Sequence, residues 1–516
     1  MGSNDKENNY ILEMRGITKY FPGVKANDGV DLLVEDGEVH ALVGENGAGK
    51  TTLMKILYGL LEKDSGKIYY KGEKVSIDGP QDAIDLGIGM VHQHFKLVDT
   101  LTVTENIILG SEPRRGFSID EKKARNDVQE ISNRYGLKID PKAQIHDIPV
   151  GMQQRVEIIK ILYRGADLLI FDEPTAVLTP QEIDELFEIF KSLQEQGKTI
   201  IFITHKLKEV KRITDNVTVL RNGEFIGRVE TDDVSESDIA EMMVGREVLF
   251  EVEKAPVQTG REILQVKNLV AKDNRNIKTV DGISFSIREG EIFGIAGVEG
   301  NGQSELVEVL TGLRNAEDGK VEFKGDDITN LNARKIKELG IGHIPEDRQR
   351  RGLILDFDLG ENMILGYHHK QPYSKNSFMN YGNIYKHAED LIKEFDVRTS
   401  SYLNKASKLS GGNQQKAVVA REFAEEPELL IASQPTRGVD VGSIEFIHKQ
   451  LINKRDEGVG VLLVSAELSE ILSLSDRIGV IFEGELVKIM PAEEAEERIL
   501  GQLMTGGKIK GAEVSG

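Results

Sequence analysis

Residues 44–51 read GENGAGKT and fit the phosphate-binding pattern G-x-x-x-x-G-K-[ST] at every fixed position. Each residue type there suits a phosphate tail. Gly47 and Gly49 let backbone N–H groups close around phosphate oxygens, and the N-terminus of a following helix adds a favourable dipole. Lys50 carries a charge toward the β- and γ-phosphates, and Thr51 offers a hydroxyl to Mg²⁺. Gly44, Glu45, Asn46, Ala48 and Thr52 complete the wrapping stretch. A glycine-rich turn without a ligand would have no use for lysine and threonine at those two places.

Three more groups could serve such a loop. LLIFDEPT (168–175) ends an apolar run with two carboxylates. Asp172 would hold Mg²⁺ and Glu173 would polarise an attacking water. His205, in IFITHK, follows another apolar run and is placed to approach a γ-phosphate. Gln93, in MVHQHF, stands at a third strand end, where it can reach Mg²⁺ or the water. Taken singly, a histidine or glutamine is more often structural. Their company with a full phosphate loop makes them candidates.

These side chains need a scaffold that brings them to one edge. EVHALVG, ADLLIFD and KTIIFIT read as strands buried on both faces, the mark of a parallel sheet. DEKKARNDVQEISNRYG has helical periodicity, and NVTVLRNGEFIGRV is an Asn-Gly hairpin. The class is α/β. A chain of 516 residues with no cysteine and a net charge of −21 excludes disulfides and thiolate chemistry, and it disfavours nucleic acid and anionic lipid as partners. No apolar run is long enough to span a bilayer, and the polar MGSNDKENNY does not read as a signal peptide.

The chain repeats itself. GEVHALVGENGAGKTTL (37–53) aligns with GEIFGIAGVEGNGQSEL (290–306) at an offset of 253. VGMQQRVEI (150–158) resembles GGNQQKAVV (411–419). LLIFDEPT matches LLIASQPT (429–436), and IIFITHKL (200–207) matches VLLVSAEL (461–468), both at an offset of 261. Four blocks in one order indicate a tandem duplication. We expect one domain at 8–250, a polar linker at 251–260, a second domain at 261–505 and a tail at 506–516.

The series of phosphate loop, glutamine, V-G-M-Q-Q-R, D-E-P-T and histidine resembles an ATP-binding-cassette (ABC) ATPase domain. LSGGNQQ (409–415) resembles that family's signature, with Asn413 ahead of Gln414. The resemblance covers nearly the whole chain. It implies two P-loop ATPase domains, each a mostly parallel sheet with an antiparallel β subdomain and a helical signature subdomain. It also implies that an ATP lies between the phosphate loop of one domain and the signature of the other, with Mg²⁺, and that an aromatic ring stacks on adenine. Phe21 is our candidate ring, with Tyr20 as the alternative. One site then joins Lys50, Thr51, Gln93, Asp172, Glu173 and His205 to a lid of Ser410, Gly411, Gly412 and Gln414. The other has Gln303 for lysine, Ser433 and Gln434 for the carboxylates, Ala466 for histidine and Glu346 for glutamine. Its lid has Pro149 and Val150 in place of Ser and Gly. All the losses fall on one site.

The resemblance is closest to ATPases of sugar and nucleoside importers, through QPTRGVDVG (434–442) and PEDR (345–348). MVHQHFKLVDTLTVTENI (90–107) favours the nucleoside branch. It implies a peripheral subunit on the cytoplasmic side of the membrane, two integral-membrane permeases, and indirectly an extracellular binding lipoprotein. A ribose- or galactose-type importer is the alternative. A soluble tandem ATPase acting on the ribosome fits less well, because its two active sites would be joined by a long basic linker.

Overall fold

A computed structural model of the protein describes residues 10–22, 24–92, 95–116, 118–175, 178, 180–247, 254–255, 259–298, 300–376 and 378–506. Gln93 lies outside the described residues. So do most of the linker at 251–260 and all but Gly506 of the tail. The chain divides into two compact units, Met1–Val248 and Leu249–Gly516.

In the first unit a six-stranded sheet runs in the order Glu224–Glu230, Asn216–Arg221, Val39–Gly44, Thr199–Ile203, Leu168–Asp172, Ile88–Val91. All neighbours are parallel except the hairpin at one edge. Val39–Gly44, Leu168–Asp172 and Thr199–Ile203 are buried at every residue, as their unbroken apolar runs require. Ile203 pairs with both Leu42 and Asp172. The three strands therefore end level, and the loops after them share one carboxyl edge, where ligands of such sheets bind.

Phe171, Phe187, Phe190 and Phe202 pack together on one face of this sheet, with Phe171 and Phe190 4.5 Å apart. Burying each contributes about 1.5–3 kcal/mol. Glu121–Arg134 forms the expected helix. It is capped by Asp120, whose side chain accepts from the Lys123 amide, and it turns Ala124 and Val128 inward. Asn222 (φ 53°) and Gly223 (φ 83°) make the tight hairpin turn. A separate antiparallel sheet, in the order Val24–Glu35, Tyr10–Phe21, Ser65–Tyr70, Glu73–Val75, lies in the same unit.

The second unit repeats this plan. Its six strands run Ile341–Ile344, Leu429–Ser433, Gly460–Ser465, Ile292–Ala296, Arg477–Phe482, Glu485–Pro491, and its antiparallel sheet is Lys278–Arg288, Glu262–Lys272, Asp318–Phe323, Asp326–Asp327. Two linker residues are held on this unit: Lys254 Nζ donates to Ser475 O at 2.8 Å, and Arg455 donates to Ala255 O.

The interiors differ in charge beside strand Ile341–Ile344. Ile84, Met90 and Ile161 of the first half align with Lys337, His343 and Glu422 of the second. Glu422 accepts from Lys337 at 3.1 Å and from Arg421 at 2.8 Å. Burial pushes His343 from 6.5 down to about 4, with Lys337, Arg351 and Arg421 adding to the effect and Glu422 opposing it. Its folded pKa lies below the unfolded one, so this contribution to stability is complete above 6.5 and is lost as pH falls toward 4. The slope is about 1.4 kcal/mol per pH unit at most. His343→Met, which copies the first half, should flatten that part of the melting-temperature profile. An unchanged profile between pH 6.5 and 4 would refute the assignment.

Candidate functional site: the phosphate loop of the first unit

The loop leaves strand Val39–Gly44 and enters helix Lys50–Leu57. Gly49 caps the helix at φ 97°, a conformation that favours glycine. A Cβ there would sit 2.2 Å from Ala26 O, and one on Gly44 would sit 2.3 Å from Leu220 O. Both positions are closed to side chains by backbone. Asn27 Nδ2 donates to Gly49 O at 3.3 Å, tying the loop to the antiparallel sheet. Ala48 is buried and its amide bonds Glu45 O at 3.0 Å.

Lys50 is buried at 5% exposure, with Nζ donating to Gly44 O at 2.6 Å and Glu45 O at 3.0 Å. Its ammonium therefore stands inside the turn that would surround a phosphate. Thr51, the next residue, is exposed, and its hydroxyl bonds the Asp172 carboxyl. Thr52 is half-buried behind it.

Asp172 and Glu173 end strand Leu168–Asp172 in different states. Burial, then the neighbouring Glu173 carboxylate, pushes Asp172 up to about 6. Burial works to raise Glu173 as well. The hydrogen bond and charge of His205 outweigh it, aided by Lys50 and Lys206, and hold Glu173 below the usual carboxylate range. His205 Nδ1 lies 3.1 Å from Glu173 Oε1. Glu173 is thus anionic and oriented at neutral pH, as a general base must be. Asp172 is a buried carboxyl short of positive charge, which fits the donor set of a divalent cation.

Two features of this edge were not legible in the motifs. Glu173 has φ 48°, a strained value for a side-chain-bearing residue, and its amide is fixed on Ile203 O at 3.0 Å. Glu209, buried, accepts from Thr175 Oγ1 at 2.8 Å and Thr204 Oγ1 at 3.2 Å. It clamps together the two strand-end loops that carry Glu173 and His205. The duplication held the available signal: Thr436 and Glu470 repeat the bond at 2.8 Å in the second unit, where the carboxylates and histidine are gone.

Phe21 lies at the end of Tyr10–Phe21 with 39% exposure. The Tyr20 hydroxyl is committed to Asp28 at 3.1 Å. Gln93, which reads as a metal and water contact, is outside the described residues.

The signature residues sit at the start of helix Gly411–Phe423. Ser410 is its N-cap, and Asn413 Nδ2 donates to Ser410 Oγ at 2.8 Å. A Cβ on Gly412 would meet Ser443 Oγ at 2.4 Å and Asp440 Oδ2 at 2.5 Å, whereas one on Gly411 would displace only the Arg348 guanidinium, 2.6 Å away. Gln414 departs from expectation. It is 3% exposed, its amide donates to Ala406 O at 3.0 Å, and its oxygen accepts from Gln349 at 3.1 Å. It holds the helix rather than facing out as a lid residue. Pro149 is the N-cap of Val150–Tyr163, with no side-chain cap to offer.

In the second unit the cap residue keeps its conformation while the lysine's charge is gone. Gly302 caps helix Gln303–Leu310 at φ 100°, against 97° for Gly49 in the first unit. Gln303 is buried in lysine's place, with Nε2 on Val298 O at 3.0 Å. Gln434 keeps φ 47°, and its oxygen accepts from the Ala466 amide at 3.2 Å where Glu173 meets His205.

The sequence matches the ABC transporter family twice, over residues 27–176 and 280–437. It is 56% identical over 503 residues to the guanosine import ATP-binding protein NupO of Bacillus subtilis (strain 168), covering 98% of this chain and 99% of that one. It is 53% identical over 502 residues to the nucleoside import ATP-binding protein NupA of Lactococcus lactis subsp. cremoris (strain MG1363), covering 97% and 99%. It is 47% identical over 527 residues to the glucose import ATP-binding protein TsgD13 of Haloferax volcanii, covering 96% of each.

Proposed function

The chain belongs to the ABC transporter family, and from that membership we infer that it is the ATP-hydrolysing subunit of a nucleoside importer. It binds ATP and is an ATPase. The observation that carries the reading is the oriented Glu173–His205 pair beside the Lys50 loop. The backbone N–H groups and Lys50 hold the phosphate tail. Glu173 takes the proton of the attacking water, and His205 keeps its carboxylate charged and aimed. Phe21 supports the adenine ring.

Mg²⁺ fits Thr51 and Asp172, with Gln93 as a further ligand. Among the described residues no group of three or more His, Cys, Asp or Glu side chains could hold a metal unaided, so the nucleotide's own oxygens would complete its shell. When bound, Mg²⁺ supplies charge against the β- and γ-phosphates. From the resemblance of LSGGNQQ to the family's signature we propose that Ser410, Gly411 and Gly412 are needed for turnover. We assign no such role to the second unit's loop.

Among the described residues no helix is long and apolar enough to cross a membrane. We propose, from the import ATP-binding relatives, that the pore belongs to membrane permeases, which we take to be two, fed by an extracellular binding lipoprotein, with this subunit on the cytoplasmic face. The identity to nucleoside and guanosine relatives favours a nucleoside cargo over a monosaccharide. Uptake of labelled guanosine and ribose by cells lacking this gene tests the choice. Loss of ribose uptake with guanosine uptake intact would overturn it.

The segment after Gln93 is our candidate for docking a permease. Lys96, Val98, Asp99 and Thr100 are exposed there, ahead of helix Val103–Ile108 and its Thr102–Glu105 capping box. Val98→Glu should abolish uptake while basal ATPase activity stays near that of the parent. Joint loss of both activities in a folded variant would make the segment structural instead.

A further inference from the structure

The intact signature of the second unit has an arginine set against it. By the alignment that places Glu346 opposite Gln93, Arg348 stands opposite Phe95. Arg348 follows strand Ile341–Ile344 and opens a single π-turn, Arg348–Gly352. Such turns often mark functional places. This one is fixed at both ends. Asp347 accepts from the amides of Gln349 and Arg350, and Arg421 Nη1 donates to Gly352 O at 2.6 Å.

The Arg348 guanidinium reaches the loop beyond strand Leu429–Ser433. Its Nη1 donates to Arg437 O at 2.7 Å and its Nη2 to Gly438 O at 3.1 Å. The second of these nitrogens also lies over the signature. A Cβ on Gly411 would stand 2.6 Å from Arg348 Nη2 and 3.3 Å from Gly438 O. Glycine at 411 therefore leaves the space that the cation fills. Arg348 Nε is buried with no hydrogen-bond partner among the described residues. The fold carries the cost of that orphaned donor to keep the guanidinium in place. A phenylalanine, as at 95, has no donor for either bond.

The neighbours of Arg348 extend the same connection. Ser304, which aligns with Thr51, donates its hydroxyl to Glu346 Oε2 at 3.0 Å, and Arg437 donates to Glu346 Oε1 at 2.6 Å. Gln349 donates to Gln414 within the signature helix. Residues 346–349 thus tie helix Gln303–Leu310 and the loop at 437–438 to the start of helix Gly411–Phe423. Arg348 is the member that abuts Gly411.

We propose that Arg348 is a positioning residue for ATP turnover. It holds the loop at 437–438 and the first helical residue of the signature in one arrangement, through two charge-assisted bonds to carbonyls. Its effect passes through Ser410, Gly411 and Gly412, so the inference rests on the reading that these serve turnover. A planar guanidinium spans two successive carbonyls in a fixed fork, which a point-like ammonium does not.

The test uses the full chain carrying Arg348→Met, which keeps an apolar stem and loses both bonds. Steady-state kcat for ATP should fall about tenfold or more, as expected for a lost charge-assisted contact. KM and equilibrium ATP binding should stay near parental values, because Lys50 and Thr51 are untouched. Arg348→Lys, which retains the charge, should recover part of the rate and shows that the fold survives. Hydrogen exchange should quicken in a peptide spanning 410–416 and stay unchanged in one spanning 44–57. A parental kcat, a matching rise in KM, or unchanged exchange at 410–416 would each overturn the proposal. Ser410→Arg is measured alongside. Loss of turnover there, with parental kcat in Arg348→Met, removes the role of Arg348 alone. Parental turnover in Ser410→Arg removes the reading of the signature, and the role of Arg348 with it.

Discussion

Glu173→Gln should lower ATP hydrolysis by about 10²–10⁴-fold, the range of a positioned general base. Nucleotide binding should persist, because Lys50 and the loop amides are untouched. The usual objection is that a substitution at a strained residue unfolds the site. The chain answers it internally. Gln434 occupies the equivalent strand end at φ 47°, against 48° for Glu173, and its amide bonds Val464 O at 2.7 Å as Glu173 bonds Ile203 O. Glutamine is at home in that backbone, so the substitution removes the charge and little else. Single-turnover hydrolysis and equilibrium ATP binding by the purified variant separate the two effects. Turnover near the parental rate would remove Glu173 from the base role.

Ser410→Arg should be nearly as damaging, and Pro149→Arg should not. The two residues hold the same place in the two signatures and both cap a helix, but only Ser410 brings a hydroxyl. If the signature serves turnover as its resemblance implies, removing that hydroxyl should cost roughly 10²-fold or more in rate. The lost N-cap adds about 1 kcal/mol of destabilisation, which circular dichroism would reveal as a lower melting temperature rather than an unfolded chain. Pro149 has neither hydroxyl nor N–H to lose. The resemblance pairs Pro149 with the degenerate motif set, which has Gln303 for lysine and Gln434 for the base. Steady-state ATPase rates of both folded variants decide the matter. Equal losses would mean that the sorting into one competent and one degenerate site is wrong.

What the sequence could disclose follows from where the information resides. Lys50, Thr51, Asp172, Glu173 and His205 were legible because their chemistry needs fixed residue types at the ends of strands whose apolar runs are themselves conspicuous. The sheet order and level strand ends then bring them to one edge. Gln414 was misread because membership of a motif does not say which way a helical side chain points, and this one turns inward to Ala406. The Glu209 clamp and the triangle of Ser304, Glu346 and Arg437 were illegible for another reason. Thr175 and Glu209 lie 34 residues apart, Ser304 and Glu346 42, and Glu346 and Arg437 91, on separate elements, and only the folded sheet makes them neighbours. The strain at Glu173 had no sequence sign at all, since it is imposed by the turn that leaves the strand.

Lys50 has a wider consequence. Its ammonium is out of water and held by the carbonyls of Gly44 and Glu45. An arriving phosphate need not dehydrate that charge, because folding has done so beforehand, at the expense of the folded state. Gln303 shows the same turn relieved of the burden: a neutral amide makes the corresponding bond to Val298 and asks for no dehydrated cation. The two halves are therefore unequal investments. One keeps a thermodynamic handicap that only turnover justifies, and the other has exchanged that handicap for an easier fold.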